Sequence, residues 1–200
     1  MLPPDTSDKP YVALVEKLEH DGNNVDVSVR WYYRPEDTIG GRQKFHGENE
    51  IFLSDHRDVQ SARTIEGKCV VHSYDDYLNL ENVGVEDYYC RMEYNFITGA
   101  FAPERIDVFC KCDTPHNPDV FMVQCDDCED WYHPACVGTT IEEVKKTDNY
   151  LCPECEEAHN EYFLNQSRTD VSALPTSNGN QAFPKASISS KCKQSAARVV

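Results

Sequence analysis

The spacing of cysteine and histidine over residues 109–156 constrains this chain more than any other feature. The run is Cys110-x-Cys112, twelve residues, Cys125-x2-Cys128, four residues, His133-x2-Cys136, fifteen residues, Cys152-x2-Cys155. Seven of the ten cysteines in the 200-residue chain fall in this window. Tetrahedral zinc takes four N or S ligands, and a site closed by Cys and His alone is structural. Eight ligands make two such sites, and a Cys-x2-Cys pair seats two thiolates on one ion through a tight turn. A module this small has almost no core, so metal binding, on the order of 10–16 kcal/mol for a structural zinc, supplies its folding energy.

Clustered cysteines of this kind belong in a reducing compartment rather than in a disulfide framework. The sequence agrees: Met1-Leu2-Pro3-Pro4-Asp5 carries neither a basic n-region nor an apolar h-region, so no secretory signal is expected. No apolar run approaches the ~18–20 residues of a membrane span, and no membrane partner is expected. The formal net charge is −16. It is uneven: Arg168, Lys185, Lys191, Lys193 and Arg198 against Asp170 give residues 165–200 a net of +4, leaving −20 for residues 1–164. Such a surface repels nucleic acid, making direct nucleic-acid binding a poor reading, and attracts basic partners.

Composition divides the chain into three. Residues 1–106 read as strands and turns. Val25, Val27, Val29, Trp31 and Tyr33 alternate with Asp26, Ser28, Arg30 and Tyr32, and Tyr88, Cys90, Met92, Tyr94 and Phe96 repeat the pattern. Apolar runs at 11–15, 51–53 and 69–71 add three strands, and Gly22-Asn23-Asn24, Gly40-Gly41 and Gly67 supply turns. Cys69 and Cys90 lack metal spacing and read as small buried hydrophobes. Residues 107–158 hold the metal run, with a short helix between His133 and Cys152 capped by Thr139, with Glu142 three residues on. Residues 159–200, rich in Ser, Asn, Gln and Ala, bury too little apolar surface to offset the entropy of ordering, and a disordered tail is expected.

The ligand order, four cysteines, one histidine, three cysteines, with Trp131 two residues before His133, resembles the PHD finger. A RING-type ubiquitin ligase module can share the same order of ligands; Trp131 and the four-residue gap favour PHD. The resemblance implies a cross-brace: Cys110, Cys112, His133 and Cys136 on one zinc, Cys125, Cys128, Cys152 and Cys155 on the other. It also implies a binding module rather than an enzyme, taking the histone H3 N-terminal tail by strand addition along residues 120–124. A methyl-lysine cage would be walled by Trp131, Met122 and Phe109, with His116 where the family carries tyrosine. A neutral imidazole is a weaker wall than a phenol, and a protonated one repels an ammonium.

Four further motifs, Trp31-Tyr32-Tyr33-Arg34-Pro35-Glu36, residues 50–56, residues 64–69 and Asp87-Tyr88-Tyr89-Cys90-Arg91, resemble a BAH domain, a mostly β barrel. With the finger behind them, residues 1–156 resemble the plant BAH–PHD histone readers. That resemblance implies a cage for trimethyl-lysine 27 of histone H3 made of Tyr11, Trp31 and Tyr33, with His56 and Asp58 contacting the flanking peptide. Trp31 and Tyr33 also share a strand face with Val25, Val27 and Val29, which by periodicity alone reads as core. Relative to the family, the chain begins inside the barrel. Either the barrel lacks its first strands and exposes a hydrogen-bonding edge, with lower stability and aggregation, or another segment replaces them.

The expectation is a nuclear chromatin reader: two zinc ions, BAH for trimethyl-lysine 27, PHD for di- or trimethyl-lysine 4, recruitment of repressor complexes, and control of flowering time. No phosphate-cradling loop or nucleophile–base spacing argues for catalysis. The alternatives are a RING-like ubiquitin ligase and a chromatin scaffold without methyl-lysine selectivity.

Overall fold

In a computed structural model of the chain, residues 10–169 and 194–199 are described. They fall into two units: residues 10–106 with 117–119 and 194–199, and residues 107–116 with 120–169. Among the described residues no helix is long and apolar enough to cross a membrane.

The first unit opens with β1 (Tyr11–Asp21) and β2 (Asn24–Tyr33), joined by a two-residue turn in which Gly22 takes φ +56°. That left-handed conformation costs glycine nothing, and it matches the twist of a tight hairpin. β3 (Phe52–Ser61), β4 (Ile65–Ser73), α1 (Tyr74–Leu78), β5 (Asp87–Cys90), β6 (Glu93–Tyr94) and β7 (Phe101–Ala102) follow. The second unit contains β8 (Val108–Phe109), β9 (Thr114–Pro115), β10 (Val123–Gln124), β11 (Trp131–Tyr132), α2 (Ile141–Val144) and α3 (Pro153–Thr169). A last strand, β12 (Gln194–Val199), belongs to the first unit.

The main sheet runs β5-β4-β12-β1-β2-β3-β6-β7. It curls back on itself: β5 meets the residues before β3 through a Glu50–Tyr89 bridge, with Ile51 N donating to Tyr89 O and Tyr89 N to Asn49 O. The mostly β reading therefore holds. β1 and β2 each contribute to two buried clusters. Val12, Tyr32, Ile51, Leu53, Cys69 and Val71 form one cluster, with Cys90 packed against it; Ala13, Val27 and Val29 form another. Cys90 donates its thiol to Met92 O, and burial pushes that thiol up to about 11, as befits an inert packing residue. Beneath the sheet, the fully buried Glu50 takes Arg91 at 2.6 and 3.0 Å and the Tyr89 hydroxyl at 3.1 Å. Arg91 also lies against the rings of Phe45, Tyr74 and Tyr89.

Several local expectations shift. The alternation over 88–96 is not one strand: β5 pairs in parallel with β4 and β6 in parallel with β3, and the break falls where Arg91 folds onto Glu50. In the second unit only Val123–Gln124 of the predicted 120–124 strand is paired, with β11. The cap of α2 is Thr140, not Thr139: its hydroxyl accepts from Glu143 N while Glu143 returns to Thr140 N. Both registers offer a threonine three residues before a glutamate, so the motif could not choose between them.

Two described pieces of the segment read as a disordered tail have regular structure. α3 continues to Thr169, and β12 pairs on both sides. Residues 170–193 lie outside the described residues. Composition misses β12 because its pairing is through the main chain. The open edge expected beside Tyr11 carries this strand.

Candidate functional site

The metal ligands come together as two sets of four. Cys110, Cys112, His133 and Cys136 form one; Cys125, Cys128, Cys152 and Cys155 form the other, each with its ligand atoms within 4.8 Å of one another. Two thiolates at zinc–sulfur distance on a tetrahedral ion stand ~3.8 Å apart. Cys128 Sγ and Cys152 Sγ are 3.9 Å apart, and His133 Nδ1 lies 3.4 and 4.0 Å from Cys112 and Cys136 Sγ. The donor sets and spacings fit two structural zinc ions.

Local backbone explains how the turns close. Cys110 (φ 65°) and Glu129 (φ 62°) take the left-handed region, a strained choice that persists where surrounding bonds over-determine it. Amides also point at the sulfurs: His133 N at Cys110 Sγ (3.4 Å) and Cys152 N at Cys125 Sγ (3.2 Å). Burial alone would push the Cys110 thiol up; donation from His133 and Cys112 outweighs it and holds the thiol near 6. The buried cluster of this unit is Val123, Tyr132 and Val144 with Cys125, Cys152 and Cys155. Half of it is ligand, so the metal is the core.

In the first unit, Tyr11, Trp31, Tyr33, His56 and Asp58 all line one open cleft of about 490 Å³, together with Tyr32, Asp37 and Gln60. Core and cleft readings of the β2 face prove to be two ends of one surface. Val27 and Val29 are fully buried; further along, Trp31 and Tyr33 are half-buried at the opening. Tyr11 meets Trp31 edge-on, centroids 6.3 Å apart. An irregularity in the β2–β3 register sets the other wall: Arg30 faces Arg57 but Tyr32 faces Leu53, so three residues of β3 oppose one of β2. Such bulges re-aim side chains. Here Ser54 Oγ donates to Trp31 O, His56 N donates to Ser54 Oγ, and His56 Nδ1 lies 3.0 Å from the Tyr33 hydroxyl. His56 stacks on Phe96 at 4.7 Å, and Tyr94 backs Tyr33 at 5.4 Å. Burial, then Tyr94, Asp37 and Asp55, push the Tyr33 hydroxyl up.

Sequence reasoning missed Asp37, Gln60 and Phe96. Gln60 was accessible in principle, because His56, Asp58 and Gln60 fall at period two on one strand. Asp37 carries no periodic signal, and Phe96, which continues the alternation of 88–94, sits in a turn where that period no longer sets direction. Chemically, the cleft offers the rings of Tyr11, Trp31 and Tyr33 with two carboxylates beside them, a combination suited to a bulky cation.

Residues 1–104 match the family model of the BAH domain, and residues 109–155 match that of the PHD-finger. The chain belongs to the BAH-domain family. The chromatin remodeling protein EBS of Arabidopsis thaliana is 64% identical over 156 residues, covering 78% of this chain and 67% of that protein. The chromatin remodeling protein SHL of the same plant is 61% identical over 147 residues, covering 72% and 64%. This chain thus spans about two thirds of the length of these two relatives. The lysine-specific demethylase phf2 of Danio rerio is 34% identical over 88 residues, only 8% of that protein.

The metal unit of this BAH–PHD protein is accordingly a PHD finger and not a RING module. Its own cleft, about 220 Å³, is lined by Phe109 and Trp131 with Val108, Cys110, Lys111, Asp130 and Tyr132. His116 stands edge-on to Phe109 at 6.4 Å, and Met122 is buried just ahead of β10. Of the four residues proposed for the finger's cage, Phe109 and Trp131 therefore line this cleft, while His116 meets it only through its edge-on contact with Phe109.

Proposed function

We propose that this chain is a nuclear reader of histone H3 tails, without catalysis of its own, whose BAH cleft takes trimethyl-lysine 27 and whose PHD cleft takes di- or trimethyl-lysine 4. By this reading it recruits or retains repressive chromatin machinery, with flowering time among the processes controlled. The observation that carries it is the BAH cleft: Tyr11, Trp31 and Tyr33 surround one opening that Asp37 and Asp58 make acidic. A desolvated aromatic face contributes up to ~2 kcal/mol toward a quaternary ammonium, and the −20 charge of residues 1–164 draws in a basic tail. The likeness to two chromatin remodeling proteins supports the nuclear setting. For the finger, Phe109 and Trp131 support a two-walled site, weaker than a full cage because His116 replaces a phenol.

The test titrates the zinc-loaded chain with H3 peptides carrying trimethyl-lysine 27, trimethyl-lysine 4 or no mark. Trp31→Ala should weaken the lysine 27 peptide by tenfold or more, and Trp131→Ala the lysine 4 peptide alone. Equal affinity for all three peptides would overturn the reading and leave a scaffold without methyl-lysine selectivity.

A further inference from the structure

In the BAH cleft, Tyr11 takes its strand partner from an unexpected quarter. β1 pairs with β2 only from Ala13 onward, beginning with Ala13 opposite Trp31. The first two residues of β1 have their strand partners on the other side: Tyr11 is opposite Val199 and Val12 opposite Arg198, both in β12. Ahead of them, Arg34 Nη2 donates to Pro10 O at 2.8 Å. Tyr11 itself is half exposed and meets Trp31 only edge-on. β12 is anchored in turn along β4, from Gln194 opposite Val71 to Val199 opposite Ile65. Its six residues thus form a central strand, antiparallel to both neighbours, joining the edge of β1 that carries Tyr11 to the strand that buries Cys69 and Val71.

We propose that residues 194–199 are a positioning strand for the reader cleft: they fill the slot between β1 and β4 in the same chain and hold Tyr11 against Trp31. The proposal rests on the BAH cleft being the peptide site. The physical basis is main-chain pairing. An extended segment entering between two strand edges satisfies both of them, whatever its side chains, as in strand addition by a peptide. It also removes a free edge from beside an acidic, aromatic opening. Methyl-lysine affinity then depends on a segment more than 130 residues away in sequence from Trp31 and Tyr33.

Register gives the direct test. Ala196 is opposite the native Cys69, and opposed antiparallel residues have Cα atoms ~4.5–5.5 Å apart, within disulfide range. In the zinc-loaded full chain, the Ala196→Cys variant should form an intrachain disulfide to Cys69 under mild oxidation, in the monomer. Ala197→Cys, one residue out of register, should not. Ala197→Pro removes a backbone donor from a central strand. It should speed amide exchange over residues 11–13 and weaken the trimethyl-lysine 27 peptide about tenfold. Ala197→Val, which keeps the donor, should leave both unchanged, and Ser190→Pro, four residues ahead of Gln194 in sequence, serves as control. Absence of the disulfide, or its formation between two chains, overturns the intrachain strand. A disulfide together with Ala197→Pro affinity equal to wild type overturns the positioning role. Should the wild-type chain bind no methylated peptide, the reader assignment fails; disulfide and amide exchange still decide whether β12 holds Tyr11.

Discussion

The two domains hold their clefts open by opposite means. In the BAH domain, long strands feed two buried clusters, a fully buried Glu50 is tied to Arg91, and the cleft residues are placed by register and by one bulge in β3. In the PHD finger, the paired strands are two residues each and half the buried cluster is metal ligand. One fold is distributed over many small contributions; the other is concentrated in two ions. The same feature, an opening lined by aromatic rings, therefore has one implementation that resists single losses and one that fails all at once.

Chelation gives the sharpest contrast. Each structural zinc contributes on the order of 10–16 kcal/mol. Removing both should collapse the amide dispersion of residues 109–155, while the buried BAH clusters, which contain no metal ligand, keep their melting transition. A finger that stays dispersed in chelator would erase the distinction. On the BAH side, Arg91→Ala should produce the largest single-residue loss. It strands a buried carboxylate, at a cost of about 3–5 kcal/mol, read in urea melts with two zinc ions still bound per chain.

Acid should separate the domains further through His46. Burial, then Arg91 and Arg42, hold this imidazole down at about 4, and its Nδ1 accepts from Gln43 N. The unfolded chain takes up that proton near 6.5, the folded one only near 4. BAH stability should thus be full above about 6.5, fall as pH drops by about 2 kcal/mol at pH 5, and level off below about 4 after a total loss of roughly 3 kcal/mol. Urea melts at pH 7 and 5 measure the loss, and His46→Asn should flatten it. The smallest effect belongs to the finger: Thr140→Ala removes the α2 cap, about 1 kcal/mol. It should appear as faster exchange at the Val144 and Lys145 amides with zinc content unchanged.

Legibility in the sequence followed the same division. The finger was readable because tetrahedral coordination imposes fixed ligand types at short spacings, and both ligand sets assemble as the family resemblance implied. Its cleft was less so: Met122 is buried and His116 stands edge-on to Phe109, neither in the cleft lining, because two-residue strands leave side-chain direction to the surrounding turns. In the BAH domain, alternation identified the β2 face. It could not say where core ends and opening begins, since Val29 and Trp31 differ only in what lies above them.

Alone, then, the sequence determined the strand-rich first domain, the metal ligands, and the aromatic residues available for a cleft, because periodicity and coordination are local rules. Only the tertiary structure decided that Tyr11 meets Trp31 and that the β3 bulge turns His56 toward Tyr33. It alone decided that Gln194–Val199 enters the sheet between β1 and β4. Each of these depends on main-chain register between segments distant in sequence, and a backbone hydrogen bond carries no signature of the residue that makes it.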